Sequence, residues 1–207
     1  MIVMKWICTS ITQETDHPFL NFFTAHYRIE DENGSRDYSY FFVSRHSKER
    51  VLTMLSDKSF RPDGVLCALY QIHEGKPRFL LIRQFRPAIN RYIYDFPTGL
   101  MDETDESEIT AVRREIKEES GAIITDIEKL IPASTTSCGL TDEMVSVYLA
   151  RVDHIEETAL EDTEDIKASF YSLDEIKKIK DDPEIYAGAV SRLTMLYLIG
   201  RFSESNN

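Results

Sequence analysis

One segment of the chain, residues 107–121, restricts the possible folds more than any other. Its apolar residues recur at helical spacing, between a serine that can cap the first turn and a glycine that can end the last. These residues are Ser107, Ile109, Val112, Ile116 and Gly121. The pattern predicts an amphipathic helix over residues 107–120, whose apolar stripe needs a surface to pack against.

The predicted helix also carries three glutamates on one flank. Glu115, Glu118 and Glu119 are spaced i, i+3 and i+4, so a helix turning about 100° per residue places them within about a third of its circumference. Like charges at these spacings destabilise a helix by about 0.2–0.5 kcal/mol per pair. A bound Mg²⁺ would compensate, because it prefers carboxylate oxygens, waters and substrate phosphates. The alternative is an exposed acidic helix whose charges are offset by basic neighbours, namely Arg113, Arg114 and Lys117.

Strand patterns occupy much of the remaining chain. Residues 64–72 and 78–86 are apolar runs on either side of a turn, which predicts a hairpin. A second hairpin is predicted over residues 17–45, because aromatic and β-branched residues alternate there with polar ones. Further strands are predicted at residues 144–152 and 169–173, and helices at residues 174–179 and 184–201.

Composition excludes several classes of function. A formal net charge of −12 would repel a phosphate backbone, so a nucleic-acid partner is not expected. No apolar run approaches the roughly 20 residues of a membrane span, and the first residues do not form a secretory signal. Three distant cysteines indicate neither a disulfide framework nor a zinc site. We therefore expect a cytoplasmic protein.

The segment around the acidic helix resembles the Nudix box, G-x5-E-x7-R-E-U-x-E-E-x-G-U, in which U is apolar. From Glu106 onward the match is in register through Arg114 and the three glutamates to the final glycine. Two departures lie in the preceding loop. Six residues, not five, separate Gly99 from Glu106, and Asp105 stands where relatives often have glycine.

The flanking residues resemble the ADP-ribose pyrophosphatase branch of that family. Residues 83–87 (RQFRP) and 94–100 (YDFPTGL) look like its QxRP and ExPAGxxD patterns, with Asp95 in place of glutamate and Thr98 in place of alanine. Residues 137–143 resemble its SPG loop, although Cys138 replaces the proline. The acidic run 161–166 resembles the loop that carries a catalytic glutamate.

The resemblance implies an α+β fold, a Nudix-type α/β/α sandwich with a mixed central sheet, plus a small N-terminal β-rich subdomain. We place that subdomain at residues 1–60, the hydrolase domain at 61–203 and a short tail at 204–207. Family members often dimerise by exchanging N-terminal strands, so a homodimer is expected.

The resemblance also implies a reaction: water attacks one phosphorus of a nucleoside diphosphate sugar, most simply ADP-ribose, giving AMP and ribose 5-phosphate. Mg²⁺, with Mn²⁺ as a possible substitute, stabilises the developing charge. The implied metal ligands are the Thr98 carbonyl, Glu115, Glu118 and Glu119. Arg83, Arg86 and Asp95 are the implied substrate-binding residues. Glu118 is also assigned a catalytic role, Glu164 is the first choice of general base, and Glu143 is the reserve.

Three alternatives stay open at this point. The substrate can be another nucleotide sugar or nucleoside diphosphate, because base and sugar contacts lie outside the box. The chain can instead be a non-catalytic module that senses such a nucleotide, although its intact glutamates argue against this. Arg86 can also be part of an ordinary surface ion pair.

Overall fold

The computed structural model describes residues 4–58, 60–102, 105–160 and 165–203. The chain divides into two compact units. The N-terminal unit combines residues 1–62 with residues 134–144, and the larger unit combines residues 63–133 with residues 145–207. The segment 134–144, which the sequence assigned to the hydrolase domain, therefore packs with the N-terminal residues.

The described part of the N-terminal unit contains an antiparallel three-stranded sheet and one helix. The elements are β1 (Lys5–Gln13), β2 (Asn21–Asp31), β3 (Gly34–Ser44) and α1 (Lys48–Asp57). The predicted hairpin is the β2–β3 pair, and its turn consists of Glu32 and Asn33. Val51 of α1 packs with Phe23 and Phe42 of the sheet in one apolar cluster. The segment 134–144 joins this unit because the backbone N–H of Val43 donates to the carbonyl of Leu140 at 2.9 Å.

The larger unit contains the remaining elements. They are β4 (Gly64–His73), β5 (Lys76–Arg86), β6 (Arg91–Asp95), β7 (Thr98–Leu100), α2 (Glu108–Ser120), β8 (Ala122–Thr135), β9 (Met144–Ile155), β10 (Ile166–Ser172), α3 (Leu173–Asp181) and α4 (Ala189–Ser203). The strands form a sheet in the order β10-β5-β4-β9-β8, with β6 added to β5 and β7 to β4. β4 runs parallel to β9 and antiparallel to β5, so the sheet is mixed.

Helices pack on both faces of this sheet. Alternate strand residues point to opposite sides, and on each side the apolar ones contact a helix. On one face Val65 and Cys67 of β4 pack with Val112 and Ile116 of α2. On the other face strand residues pack with α3 and α4, in a cluster that includes Leu66, Ala68, Ile176, Met195 and Leu198. The predicted α+β sandwich with a mixed central sheet is thus confirmed.

The ends of the acidic helix lie where the sequence predicts them, although Ile109 of its predicted apolar stripe is exposed. Ser107 caps α2 by accepting a hydrogen bond from the backbone N–H of Thr110, and Gly121 ends it in the left-handed conformation at φ 68°. Five elements had not been predicted, namely β1, α1, β6, β7 and β8. Among the described residues, no helix is long and apolar enough to cross a membrane.

Candidate active site

The strand β7 places Thr98 and Gly99 against the glutamates of α2. The backbone N–H of Thr98 donates to Oε2 of Glu119 at 3.0 Å, and the Glu119 side chain is almost fully buried. Glu115 lies directly over Gly99: a Cβ built on this glycine would be 1.7 Å from Cδ of Glu115. Two predicted ligands therefore contact one short strand, and the glycine is needed because any side chain would occupy the position of the Glu115 carboxylate.

Arg114 holds this arrangement together. Its Nη1 donates to Glu115 Oε1 at 2.8 Å and to Glu118 Oε2 at 3.2 Å. Its Nη2 donates to the Leu100 carbonyl at 3.0 Å and to Asp105 Oδ2 at 2.9 Å. One guanidinium thus orients two glutamates of α2 and ties the helix to the loop that precedes it. This geometry supports the structural role predicted for the box arginine.

Asp105 is the residue whose role the sequence did not assign. Hydrogen bonding to Arg114 holds the pKa of Asp105 below its ordinary value. The same contact is the largest of the causes that raise the pKa of Arg114. Asp105, which stands where relatives often have glycine, therefore gives the loop a carboxylate that holds Arg114 of α2.

Burial changes the electrostatics of the glutamates. Desolvation raises the pKa of Glu115 above its ordinary value, and the neighbouring Arg114 only partly offsets it. Its side chain is 16% exposed, against 41% for Glu118. A desolvated carboxylate gains most from an added positive charge, so Glu115 is better suited than Glu118 to hold a cation.

Glu108, which lies seven residues before Glu115 on α2, does not join this cluster. Its Oε2 accepts from Tyr148 Oη at 2.7 Å and pairs with Lys129 Nζ at 2.8 Å. Burial alone would raise the pKa of Glu108, but the hydrogen bonds from Lys129 and Tyr148 hold it below its ordinary value. Glu108 therefore anchors the first turn of α2 to the sheet.

The two arginines of the RQFRP segment lie on opposite faces of β5. Arg86 follows Leu80, Ile82 and Gln84 in alternation, and Leu80 packs in the cluster with α2. Arg83 alternates to the other face, where its guanidinium lies 3.8 Å from the ring centroid of Tyr92. Of these two arginines, Arg86 is therefore the one that lies on the face that carries the glutamates.

Asp95, predicted to bind substrate, is buried at the end of β6. Its Oδ1 accepts a hydrogen bond from Ser191 Oγ of α4 and another from the backbone N–H of Phe96 at 2.9 Å. Burial raises the pKa of Asp95, while Ser191 and the charge of Arg86 act in the opposite direction. The sequence gave no signal for Ser191, because helix and strand are 96 residues apart.

Of the two candidate general bases, one lies among the described residues. Glu164 lies outside the described residues. Glu143 belongs to the N-terminal unit. Its Oε2 accepts from Thr136 Oγ1 at 2.8 Å, and its Oε1 lies 3.6 Å from Arg45 Nε.

The donor chemistry of the cluster suits a hard divalent cation. Within the described ranges, no three His, Cys, Asp or Glu side chains are already arranged as a metal site. The carboxylates of Glu115 and Glu119 nevertheless contact the same two residues of β7, Thr98 and Gly99, and the absence of a side chain at Gly99 provides the space that one of them fills. Carboxylate and carbonyl oxygens are the ligands that Mg²⁺ and Mn²⁺ prefer.

Comparison with known proteins identifies the family of this chain. A model of the NUDIX domain matches residues 60–193. The ADP-ribose pyrophosphatase of Bacillus subtilis (strain 168) is 32% identical over 125 residues, which cover 59% of this chain and 65% of that protein. The methanol dehydrogenase activator of Bacillus methanolicus is 27% identical over 128 residues, which cover 61% of this chain and 67% of that protein. The matched region thus spans less than two thirds of the Bacillus subtilis protein.

A solved structure of an ADP compounds hydrolase is similar over almost the whole chain. It superposes with a TM-score of 0.68 at 17% sequence identity, covering 98% of this chain and 96% of the other. At this identity the likeness concerns the fold alone.

Proposed function

This chain belongs to the Nudix family, and from that premise we propose that it hydrolyses the pyrophosphate bond of a nucleoside diphosphate sugar in a reaction that requires Mg²⁺. ADP-ribose is the first candidate substrate, which would give AMP and ribose 5-phosphate. The observation that carries the proposal is the pair of carboxylates, Glu115 and Glu119, held against the strand β7. The similarity to a protein named ADP-ribose pyrophosphatase supports the choice of substrate.

The predicted ligands are the carboxylates of Glu115, Glu118 and Glu119 and the backbone carbonyl of Thr98. When bound, Mg²⁺ would withdraw charge from the phosphate oxygens and favour ionisation of a nearby water. The protein would contribute the placement of these oxygens: Thr98 N–H fixes Glu119, and Arg114 fixes Glu115 and Glu118. Because these contacts exist before substrate binds, little reorganisation is needed during the reaction.

Arg86 is proposed to bind the phosphates, since its fork of N–H donors can contact two oxygens at once. Asp95 is better suited to position the adjacent residues than to touch substrate, because its Oδ1 is already bonded to Ser191 and Phe96. Arg83, stacked on Tyr92 on the other face of β5, is the weaker of the two arginine candidates.

For the general base we retain Glu164 ahead of Glu143, because the Glu143 carboxylate already interacts with Thr136 and Arg45. Glu164→Gln should reduce kcat by about 100-fold or more without changing Mn²⁺ affinity. Glu143→Gln should retain most of the turnover. The opposite pattern in the two variants would transfer the base role to Glu143.

The test of the function is a substrate panel assayed with Mg²⁺, with Mn²⁺ and with EDTA. ADP-ribose, UDP- and GDP-sugars and dinucleotides are compared by the release of mononucleotide. We expect ADP-ribose to have the highest kcat/KM and Glu119→Gln to lose roughly 100-fold or more in turnover. Glu74→Gln is the matched control, because Glu74 is exposed in the β4–β5 turn, at the other end of β4 from its pairing with β7. Equal activity of Glu119→Gln and wild type would refute the metal assignment.

The same panel separates the alternatives. A preference for a UDP- or GDP-sugar would keep the chemistry and change the substrate. Tight binding of ADP-ribose without turnover under any metal condition would indicate a nucleotide sensor instead.

Two further properties are proposed with this activity, namely a homodimer and a cytoplasmic location. Light scattering on the purified protein tests the first, and a single-chain mass would contradict it. Fractionation of cells expressing the protein tests the second.

A further inference from the structure

The hairpin formed by β5 and β6 places two arginines side by side. Arg86 and Arg91 are the last cross-strand pair before the loop. The loop is short and well defined: Pro87 opens a single 3-10 turn, Asn90 takes the left-handed conformation at φ 52°, and the N–H of Asn90 donates to the Pro87 carbonyl at 3.1 Å. The register, and with it the juxtaposition of the two arginines, is therefore fixed by the hairpin.

This juxtaposition is electrostatically unfavourable as it stands. Directly opposed residues have Cβ atoms about 4.5–5.5 Å apart, and like charges in such pairs destabilise a sheet. In the described part of the chain, no carboxylate comes within ion-pair distance of either guanidinium. Arg91 is instead held by an aromatic ring, with its guanidinium carbon 4.8 Å from the centroid of Tyr186. The charge of Arg86 acts on Asp95, but Asp95 is buried and its Oδ1 already accepts hydrogen bonds from Ser191 and Phe96. Two adjacent cations that form no close ion pair with a described carboxylate, in a chain of net charge −12, indicate an anion site.

The pair lies on the face of the sheet that carries the glutamates. Alternation along β5 from Leu80, which packs in the α2 cluster, assigns Arg86 to this face. Arg91 shares the face because it is the direct cross-strand partner of Arg86. Arg83 is one of the two arginines that the sequence motif suggested, but it alternates to the opposite side. Arg91, and not Arg83, is therefore the second arginine on the face that carries the glutamates.

A third polar group on the same face also lacks a partner. The buried Oε1 of Gln84 makes no hydrogen bond among the described residues. Gln84 lies two residues before Arg86 and alternates to the same side of β5. A buried amide oxygen normally has a partner. Because this oxygen is an acceptor, a sugar hydroxyl of a bound substrate could donate to it, whereas the diphosphate itself, which carries only acceptor oxygens, could not.

We propose that Arg91 and Arg86 form a two-guanidinium clamp that binds the diphosphate of the substrate, an inference that rests on the proposed function. A diphosphate presents oxygens on two adjacent phosphorus atoms, and each guanidinium offers a planar fork of N–H donors that matches a pair of them. Stacking on Tyr186 leaves the donor edge of Arg91 available, because the ring contacts only the guanidinium face. Arg91 is on this account a substrate-binding residue that sets KM.

The experiment measures binding and turnover separately. Inorganic pyrophosphate is titrated calorimetrically into the full-length protein in EDTA, and ADP-ribose kinetics are measured with Mg²⁺. Arg91→Gln should raise both the Kd for pyrophosphate and the KM for ADP-ribose by about tenfold or more, with kcat changed by less than about threefold. Arg91→Lys keeps the charge but loses the fork, and should fall between Arg91→Gln and wild type.

Two further variants make the result specific. Arg86→Gln should weaken pyrophosphate binding similarly, and the double variant should lose less than the product of the two single losses, because both residues contact one ligand. Arg151→Gln is the matched control: it removes the same charge from an exposed position on β9, opposite Tyr70 of β4 rather than near β7. It should bind pyrophosphate as wild type does.

The outcomes separate this inference from the proposed function. If Arg91→Gln binds pyrophosphate within about twofold of wild type, or if wild type binds none, the clamp is refuted. If pyrophosphate binding depends on Arg91 and Arg86 but no nucleoside diphosphate sugar is hydrolysed, the clamp stands and the proposed reaction fails.

Discussion

The sharpest prediction concerns Gly99, because the structure gives the size of the perturbation. In Gly99→Ala the added Cβ would lie 1.7 Å from Cδ, 2.1 Å from Oε2 and 2.2 Å from Cγ of Glu115. Carbon atoms pack at about 3.5–4.0 Å, so the Glu115 carboxylate must move by about 2 Å. Arg114 opposes this movement through its 2.8 Å hydrogen bond to Oε1 of Glu115.

A displacement of this size should remove Glu115 from any shared metal site. Ligand distances must be correct to within about 0.2 Å, and a misplacement of about 1 Å can cost 100-fold in rate. We expect Gly99→Ala to lower kcat at least about 100-fold and to weaken Mn²⁺ binding measured by electron paramagnetic resonance. The fold should survive, because Gly99 is not in the left-handed region and alanine can adopt its backbone conformation. The melting temperature should therefore shift by no more than about 4 °C.

The control is Gly200→Ala in α4, where a Cβ would meet no atom within 4 Å. This variant should keep full activity and melt slightly higher, because alanine favours a helix by roughly 0.5–1 kcal/mol over glycine. Wild-type turnover and an unchanged metal requirement in Gly99→Ala would show that Glu115 is not a ligand.

Two further predictions concern residues that support the site. Burial raises the pKa of Asp95, so the folded protein favours the protonated carboxyl. The stability that this carboxyl contributes is complete below the ordinary pKa of about 3.9, and it is lost as the pH rises through the raised pKa. Asp95→Asn cannot ionise, and its free energy of unfolding relative to wild type should therefore increase with pH across that window; parallel pH curves for the two proteins would contradict this. Tyr148→Phe removes the 2.7 Å hydrogen bond to Glu108 and should lower stability by about 1 kcal/mol in urea titrations. Its kcat should be unchanged, and a large loss of turnover would place Tyr148 in the reaction.

The sequence predicted elements whose signals are local. Ser107 and Gly121 mark the ends of α2 directly, and the three glutamates follow from helical spacing. The helix α1 was missed because only Val51 and Met54 are buried along it, too few to give a clear period. Its cap was nevertheless visible, since Ser47 accepts a hydrogen bond from the backbone N–H of Arg50.

Features that depend on pairing between distant residues could not be predicted in this way. The strand β8 lies at the edge of the sheet and is half exposed, so its apolar residues do not form a continuous run. The pairing of Asp95 with Ser191 joins residues in different elements. The opposition of Arg86 and Arg91 depends on hairpin register, which the motif letters do not reveal.

The N-terminal unit is discontinuous along the chain, and this limits how the protein can be divided. Three carbonyls of the segment 134–144 accept hydrogen bonds from β3. The Leu140 carbonyl accepts from the backbone N–H of Val43, and the carbonyls of Cys138 and Gly139 accept from the hydroxyl of Tyr40. A fragment that stops at residue 62 would lose these partners and expose the side of β3 that they cover. An attempt to transplant this unit onto another Nudix domain would need to carry both pieces of chain together.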